Sequence, residues 1–466
     1  MKKLVIVVPV LFLLAGLYGC KNKKEETTEN VKQPNIIFVL TDDQRWDALG
    51  YAGNSIIKTP NMDALASSGL YFKNAFVTTP ICAASRATIL TGLYERTHDF
   101  NFGKPKLKNE YMLSSYPYLL KQAGYRTGLI GKFGVNVNKG IEDALFDTII
   151  KTRWPYLKNM EGEEIHLADI NGNHAIDFIK SEKGKPFCLS LSFWSPHADD
   201  GAEEQYFWPS YVDRLYVSDK IPVPSTADPD FFAALPEFMK HSMNRKRWYW
   251  RYDTPEKFQK MVKGYYRMIS GVDSVLGRIR STLEEEGLAD DTVIVFMGDN
   301  GYYLGERGFA GKWLMHEQSL RVPLMIYDPR QDEASGGKTF DEMVLNLDIA
   351  STILDVAGIT IPESYQGESL MSFYGNNNLK EWRTSGFFEH QRAGEPLLPK
   401  TECYRDENWK FIRYEANPEY IELYNFKEDV NEVNNLAYDE KYADKIEYYT
   451  QKCDSAVNRL IAQRIK

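Results

Sequence analysis

Three short stretches carry residue types that do chemistry, at spacings that suit it. The first is Pro80-Ile81-Cys82-Ala83-Ala84-Ser85-Arg86-Ala87-Thr88-Ile89-Leu90-Thr91-Gly92. Ala83 to Thr91 reads as a helix with Gly92 as its stop signal, which leaves Cys82 just ahead of a helix N-terminus. Unpaired backbone N–H groups and the positive dipole end favour an anion there, and favour a nucleophile in its charged form. Arg86, one turn inside, is a fixed cation whose planar fork suits a tetrahedral oxyanion. A cysteine on its own reads first as a small buried hydrophobe; these neighbours argue against that.

The second stretch is Thr41-Asp42-Asp43-Gln44 and the third Gly298-Asp299-Asn300-Gly301. Each follows an apolar run, Asn35 to Leu40 and Asp291 to Met297, of the kind that forms a parallel strand buried on both faces. Open α/β sheets place their ligands at the carboxyl ends of such strands. One aspartate there reads as a turn with an N-cap; two adjacent ones repel each other unless a cation lies between them. Asp42, Asp43, Asp299 and Asn300 are hard oxygen donors with no histidine–cysteine set in competition, so the metal they suit is Ca²⁺ or Mg²⁺ rather than zinc.

The elements that must position these groups alternate between strand and helix, which points to an α/β protein. Tyr125 to Ile130 is predicted as a strand ending in Gly131-Lys132-Phe133-Gly134. Pro186 to Phe193 is another, ending in Ser195-Pro196-His197, and Arg321 to Asp328 is a further one. Helices are predicted for Ser115 to Gly124, Leu347 to Gly358 and Pro255 to Glu286, the last from Phe258, Val262, Tyr265, Tyr266, Ile269 and Val272 at helical spacing. Residues 204–253, rich in proline and aromatics, read as an insertion of loops and short helices. A composition shift near residue 374 separates off short alternating segments and a terminal helix with Tyr442, Ile446, Tyr449, Cys453, Val457 and Leu460 on one face.

The Cys82 stretch resembles the sulfatase signature, Cys-x-(Pro or Ala)-Ser-Arg followed by small residues and Thr-Gly. Pro34-Asn35 through Asp42-Asp43, Gly131-Lys132, Pro196-His197, Gly298 to Gly301, Gly311-Lys312, Arg321-Val322-Pro323, Glu422 to Asn425 and Asn431 to Leu436 follow in the order of that family. The resemblance covers Pro34 to the C-terminus. It implies an alkaline-phosphatase-like fold: a large mixed, mostly parallel sheet sandwiched by helices, with a smaller C-terminal antiparallel sheet plus helix. It further implies that Cys82 is oxidised to formylglycine, whose hydrated diol attacks sulfur, beside Ca²⁺ held by Asp42, Asp43, Asp299, Asn300 and residue 82 itself. Arg86, Lys132, His197 and Lys312 would surround the sulfate, with His197 or Lys312 protonating the departing oxygen. A formylglycine-generating maturase is then an implied partner.

Two departures from the family pattern stand out. Many relatives carry histidine where this chain has Gly134, which leaves Asp299 or His98 as candidate bases, His98 reading otherwise as a loop residue at the rim. Arg307 stands where relatives often carry histidine and is a candidate for a substrate carboxylate or a neighbouring backbone; His316 is expected to pack. Arg245, Arg247 and Trp248, within Asn244 to Tyr252, interleave cations with aromatics. They fit a sugar-stacking, polyanion-binding wall, or equally the amphipathic start of a helix.

With 466 residues, 43% hydrophobic and 26% charged, the chain is long enough for a large α/β domain and a smaller one. The net charge of −9 argues against nucleic acid and requires a local basic pocket for any polyanion. Lys2-Lys3 and the apolar run Leu4 to Tyr18 read as an export leader, and Leu17-Tyr18-Gly19-Cys20 as a lipobox that makes Cys20 a lipidation site. Simple secretion with cleavage near Gly19 is the alternative. The expected organisation is therefore 1–19 lipoprotein signal peptide, 20–33 tether, 34–373 catalytic domain and 374–466 C-terminal subdomain. The expected address is exported: periplasmic, or lipid-anchored at the outer membrane or surface of a Gram-negative bacterium. Of the five cysteines, Cys188 reads as core strand, Cys453 as helix face and Cys403 as loop, with neither disulfides nor zinc expected. These readings converge on a sulfuric ester hydrolase acting on a sulfated oligo- or polysaccharide, a glycosaminoglycan or algal glycan fragment. The alternatives are a phosphodiesterase or phosphonate hydrolase of the same superfamily, and a non-catalytic sulfated-glycan-binding lipoprotein.

Overall fold

The structure, a computed structural model, describes Met1, Leu4 and residues 33–465 apart from 103–104, 182–183, 376–378, 393–397 and 417. The leader, the lipobox with Cys20 and the tether lie outside the described residues. The described residues from Pro34 onward pack as one compact unit.

Its centre is an eight-stranded sheet. In chain order the strands are β1 (Asn35–Thr41), β2 (Leu70–Phe76), β3 (Arg126–Gly131), β4 (Thr148–Lys151), β5 (Phe187–Ser192), β6 (Thr292–Gly298), β7 (Leu324–Tyr327) and β8 (Lys338–Leu345). They lie in the spatial order 8-2-7-6-1-5-3-4. Every neighbouring pair is parallel except that β7 runs antiparallel to both β6 and β2. All seven residues of β1 are buried, as a strand covered on both faces requires. Its alternation divides them: Ile37 and Val39 join a cluster with the helices Leu167–Lys180 and Pro255–Glu285, while Ile36, Phe38 and Leu40 face the helices Cys82–Thr91 and Asp348–Val356.

Beyond the sheet, Ser385–His390, Thr401–Asp406, Trp409–Tyr414 and Tyr420–Asn425 form a four-stranded antiparallel sheet in chain order. The terminal helix Ala443–Ala462 packs on it through Tyr449, Cys453, Ala456 and Leu460. Cys403 is therefore a fully buried strand residue, not part of a loop. The alternation of burial along Thr401–Asp406 shows why: its odd positions face the core. Cys82, Cys188, Cys403 and Cys453 are all buried free thiols, and no helix among the described residues is long and apolar enough to cross a membrane.

Candidate active site

The register of the central sheet brings the chemistry together. Thr41 is paired with Gly298, Leu40 with Ser192 and Gly131 with Ser192. The carboxyl ends of four adjacent strands, β6, β1, β5 and β3, thus release Asp299-Asn300, Asp42-Asp43, His197 and Lys132 onto one edge. Backbone bonds lock the ends to each other: Asp299 N donates to Thr41 O at 2.9 Å, Asp42 N to Ser195 O at 3.2 Å and Lys132 N to Ser192 O at 2.8 Å. From the loop after β2 comes the helix Cys82–Thr91. Cys82 is its first residue, and Gly92 closes it in the left-handed conformation at φ +67°. Arg86, one turn along the same helix, reaches from it to the strand ends at Asp299 and Lys132.

Positive and negative groups interleave in this pocket. Arg86 Nε donates to Asp299 Oδ2 at 2.8 Å, and its Nη1 to Lys132 O at 2.8 Å and to Ser192 Oγ. The ammonium of Lys132 pairs with Asp42 and lies 4.6 Å from the centre of the Trp194 ring. The ammonium of Lys312 pairs with Asp43 and sits 3.7 Å from Asp42 Oδ1. His197 Nε2 is 3.7 Å from Asp43 Oδ2, while Nδ1 lies 2.6 Å from Ala198 O. A carbonyl only accepts, so Nδ1 carries the proton and Nε2 is the nitrogen turned to the pocket.

Burial opposes ionisation of Asp42, yet Lys132, His197 and Lys312 outweigh it and hold the carboxyl well below the usual carboxylate range. Asp299 goes the other way. Burial, then the charge of Asp42, pushes it up to about 6. Burial also lowers the His197 imidazole; it opposes the charge on Lys312 too, but Asp43, Asp42 and Asp299 act together against it and the ammonium is raised.

Three buried polar atoms in this pocket have no hydrogen-bond partner: Asp42 Oδ1, Asn300 Oδ1 and Arg86 Nη2. Buried polar atoms are rarely left so. The two oxygens are hard donors of the type a Ca²⁺ takes, and Asp42, Asp43 and His197 present ligand atoms that all lie within 4.8 Å of one another. The donor set therefore fits a hard divalent cation, and Arg86 Nη2, which has no hydrogen-bond partner and lies 3.8 Å from Asp42 Oδ2, fits an oxyanion next to it.

Other sequence candidates lie elsewhere. His98 is buried, with Nε2 at 3.2 Å from Thr88 Oγ1 and Nδ1 accepting from Phe100 N at 3.1 Å. Burial takes it down to about 3, so it packs as a neutral ring and is no base at the rim. Arg307 is 1% exposed, at φ +58°, and its guanidinium donates to the carbonyls of Asn431 and Glu432. Its Nη2 serves a neighbouring backbone, the second of the two roles the sequence offered, and the side chain lies below the surface. His316 bridges Tyr303 Oη at 2.6 Å and Glu422 Oε2 at 2.9 Å.

The Asn244–Tyr252 segment is a helix, Met243–Arg251, and acts as a brace rather than an open wall. Arg247 donates to Asp200 Oδ2 at 3.0 and 2.6 Å, and Arg251 pairs with the same carboxylate. Asn244 Nδ2 donates to Lys312 O at 2.7 Å. The helix thereby ties the loop that carries His197 to the loop that carries Lys312. Arg245 stacks on Phe232 and Trp248 at 3.8 and 3.9 Å and caps Gly308 O, and Trp248 packs against the core.

Position 134 has its own geometry. Gly134 lies at φ +73°, and a Cβ there would come within 2.7 Å of Arg86 Cδ. Arg86 fills the space a histidine would need. Sequence reasoning passed over Ser192, Asp200 and Tyr265. A serine closing the apolar run Phe187–Ser192 was the available signal for the first; the others are revealed only by the packing.

The matches to known proteins agree with this arrangement. The sulfatase family model matches residues 34–359, and the chain belongs to the sulfatase family: it is a sulfuric ester hydrolase. A model described as N-sulphoglucosamine sulphohydrolase, C-terminal, matches residues 305–458. Among curated relatives, an N-acetylglucosamine-6-O-sulfatase of Bacteroides thetaiotaomicron is 28% identical, over 92% of this chain and 87% of its own. An arylsulfatase of Clostridium perfringens is 28% identical over 89% and 92%. A solved protein in complex with its substrate D-glucosamine-2-N,6-O-disulfate superposes with a TM-score of 0.75 at 25% identity, over 92% of this chain and 98% of that one. A phosphonate monoester hydrolase from Silicibacter pomeroyi shares the fold, with a TM-score of 0.79 at 21% identity over 92% and 96%.

Proposed function

We propose that this enzyme removes sulfate from a sulfated saccharide that contains glucosamine, using residue 82 in its formylglycine form and a Ca²⁺ held by Asp42, Asp43, Asp299 and Asn300. The observation that carries the reading is the set of three buried atoms without a hydrogen-bond partner, Asp42 Oδ1, Asn300 Oδ1 and Arg86 Nη2, at the strand ends to which Arg86 reaches from the Cys82 helix. Two of them call for a cation and one for an anion. The glucosamine preference draws on the relatives, one named for N-acetylglucosamine 6-O-sulfate and one bound to a glucosamine disulfate.

When bound, the ion supplies Lewis-acid polarisation of a sulfate oxygen, and the oxidised side chain supplies a hydroxyl nucleophile. The chain's own groups do the rest. Arg86, Lys132 and Lys312 are fixed donors, held by carboxylates before substrate arrives, and they stabilise charge on the sulfate oxygens as it develops. His197, with its proton held on Nδ1 by Ala198 O, keeps Nε2 facing the pocket. Of the two candidates to protonate the departing sugar oxygen, Lys312 is an ammonium with protons to give, whereas His197 Nε2 could give one only as the imidazolium, which burial disfavours. The leader and Cys20 support an exported, lipid-anchored enzyme, and the Cys82 stretch supports a formylglycine-generating maturase as its partner.

The test is sulfate release from N-acetylglucosamine 6-sulfate and from glucosamine 2-N,6-O-disulfate, with the released position assigned by NMR. Sulfate release with intact sugar product is the expected outcome. Faster turnover of a phosphate diester or phosphonate monoester than of either sugar sulfate contradicts it.

A further inference from the structure

Asp43 is held in an unusual way. Its φ of +70° is left-handed, a region that costs an L-residue free energy unless its surroundings impose it. Three groups fix its main chain and carboxylate: its N–H donates to Asp299 Oδ1 at 3.2 Å, and its Oδ1 accepts from Asn300 Nδ2 at 2.6 Å and from Lys312. The fourth comes from far away in the chain. Tyr265 Oη donates to Asp43 O at 2.7 Å and accepts from Arg45 N at 3.1 Å. One hydroxyl thus bridges the carbonyl of residue 43 and the amide of residue 45 and satisfies two buried backbone groups at once.

The support behind that hydroxyl is rigid. Tyr265 is fully buried, a third of the way along the 31-residue helix Pro255–Glu285. Its ring meets those of Tyr302, Tyr206 and Tyr266 at 6.2, 6.1 and 6.2 Å between centroids. Without the hydroxyl, Asp43 O and Arg45 N lose their partner, and only the contacts to Asp299, Asn300 and Lys312 are left to oppose rotation of the Asp43 main chain back toward negative φ. That rotation would swing the carboxylate away from Asn300 and Asp42.

We infer that Tyr265 is a positioning residue for the metal site: its hydroxyl holds Asp43 in the left-handed conformation that aims the carboxylate at a divalent cation. The inference rests on the metal reading given above. It concerns how tightly the ion is held, so it has a readout apart from turnover.

The experiment is calorimetric titration of the full chain with CaCl₂ after chelation, on wild type, Tyr265→Phe and Tyr206→Phe. Thermal unfolding with and without Ca²⁺ accompanies it. Tyr206→Phe removes a hydroxyl from the same aromatic cluster without touching Asp43 and serves as the control. Tyr265→Phe is expected to raise the Ca²⁺ Kd at least tenfold and to shrink the Ca²⁺-induced rise in Tm, whereas Tyr206→Phe binds Ca²⁺ as wild type does. A Tyr265→Phe protein that melts lower to the same extent with and without Ca²⁺, and binds with wild-type Kd, overturns the inference and leaves the metal reading standing. Absence of saturable Ca²⁺ binding in wild type overturns both.

Discussion

A methyl group at position 134 has no free space to occupy. In Gly134→Ala the new Cβ would lie 2.7 Å from Arg86 Cδ and 3.3 Å from its Nε, with the backbone at φ +73°. The left-handed conformation costs an L-residue about 1–2 kcal/mol. Overpacking adds roughly 1–3 kcal/mol, because Arg86 cannot swing aside without breaking its bonds to Asp299, Lys132 O and Ser192. The expected loss of stability is therefore about 2–5 kcal/mol. If the guanidinium is instead displaced, a charge donor leaves the sulfate pocket and kcat falls on the order of 10²–10³-fold. Urea unfolding and steady-state kinetics on a sugar sulfate read the two effects separately. A histidine at 134 meets the same obstruction and is expected to lower activity, not restore a missing base. A Gly134→Ala enzyme with wild-type kcat/KM and an unchanged urea midpoint would refute the reasoning.

Further expectations come from the same contacts. Asp200→Asn removes the charge that pairs with Arg247 and with the fully buried Arg251, which keeps Tyr302 Oη as an acceptor, and should cost about 1.5–3 kcal/mol by denaturant titration. It should also lower kcat, since Asp200 joins the His197 loop to the helix that holds the Lys312 loop. Lys132→Ala should reduce kcat by on the order of 10²-fold or more, with folding retained by circular dichroism. Glu317, buried against Arg405 and Lys410, is held down to about 2 by those cations against the cost of burial. A carboxyl depressed in the folded state stabilises above its unfolded pKa, so this contribution is full above roughly pH 4.5 and disappears as pH falls toward 2. Glu317→Gln should flatten that part of the stability–pH curve.

What was legible in the chain, and what was not, follows from range. The strand-end residues could be read because each closely follows an apolar run: Asp42 and Asp43 after Asn35–Thr41, Asp299 and Asn300 after Thr292–Gly298, Lys132 after Arg126–Gly131, and His197 in the loop that leaves Phe187–Ser192. Periodicity tells where a strand ends, and the sheet then places those ends together. Partners chosen across the fold left no local mark. Arg245, Arg247 and Trp248 show cations and aromatics at helical spacing, a pattern common to a glycan wall and a brace. Only the position of Asp200, 47 residues before Arg247, decides for the brace. His98 and Arg307 looked available because nothing nearby in sequence shows how deeply they are buried. Tyr265 lies 222 residues from the carbonyl it holds, on a helix whose spacing marks the residue simply as core.

The most direct test of the whole account is multiple-turnover sulfate release from N-acetylglucosamine 6-sulfate by wild type and by Cys82→Ser, each shown to be folded, with the mass of the peptide spanning residue 82 recorded for both. Catalytic release by wild type carrying an oxidised residue 82, and none by Cys82→Ser, is the predicted result. Equal turnover by the two proteins, or wild-type turnover with residue 82 still a thiol, would contradict the assignment of the pocket.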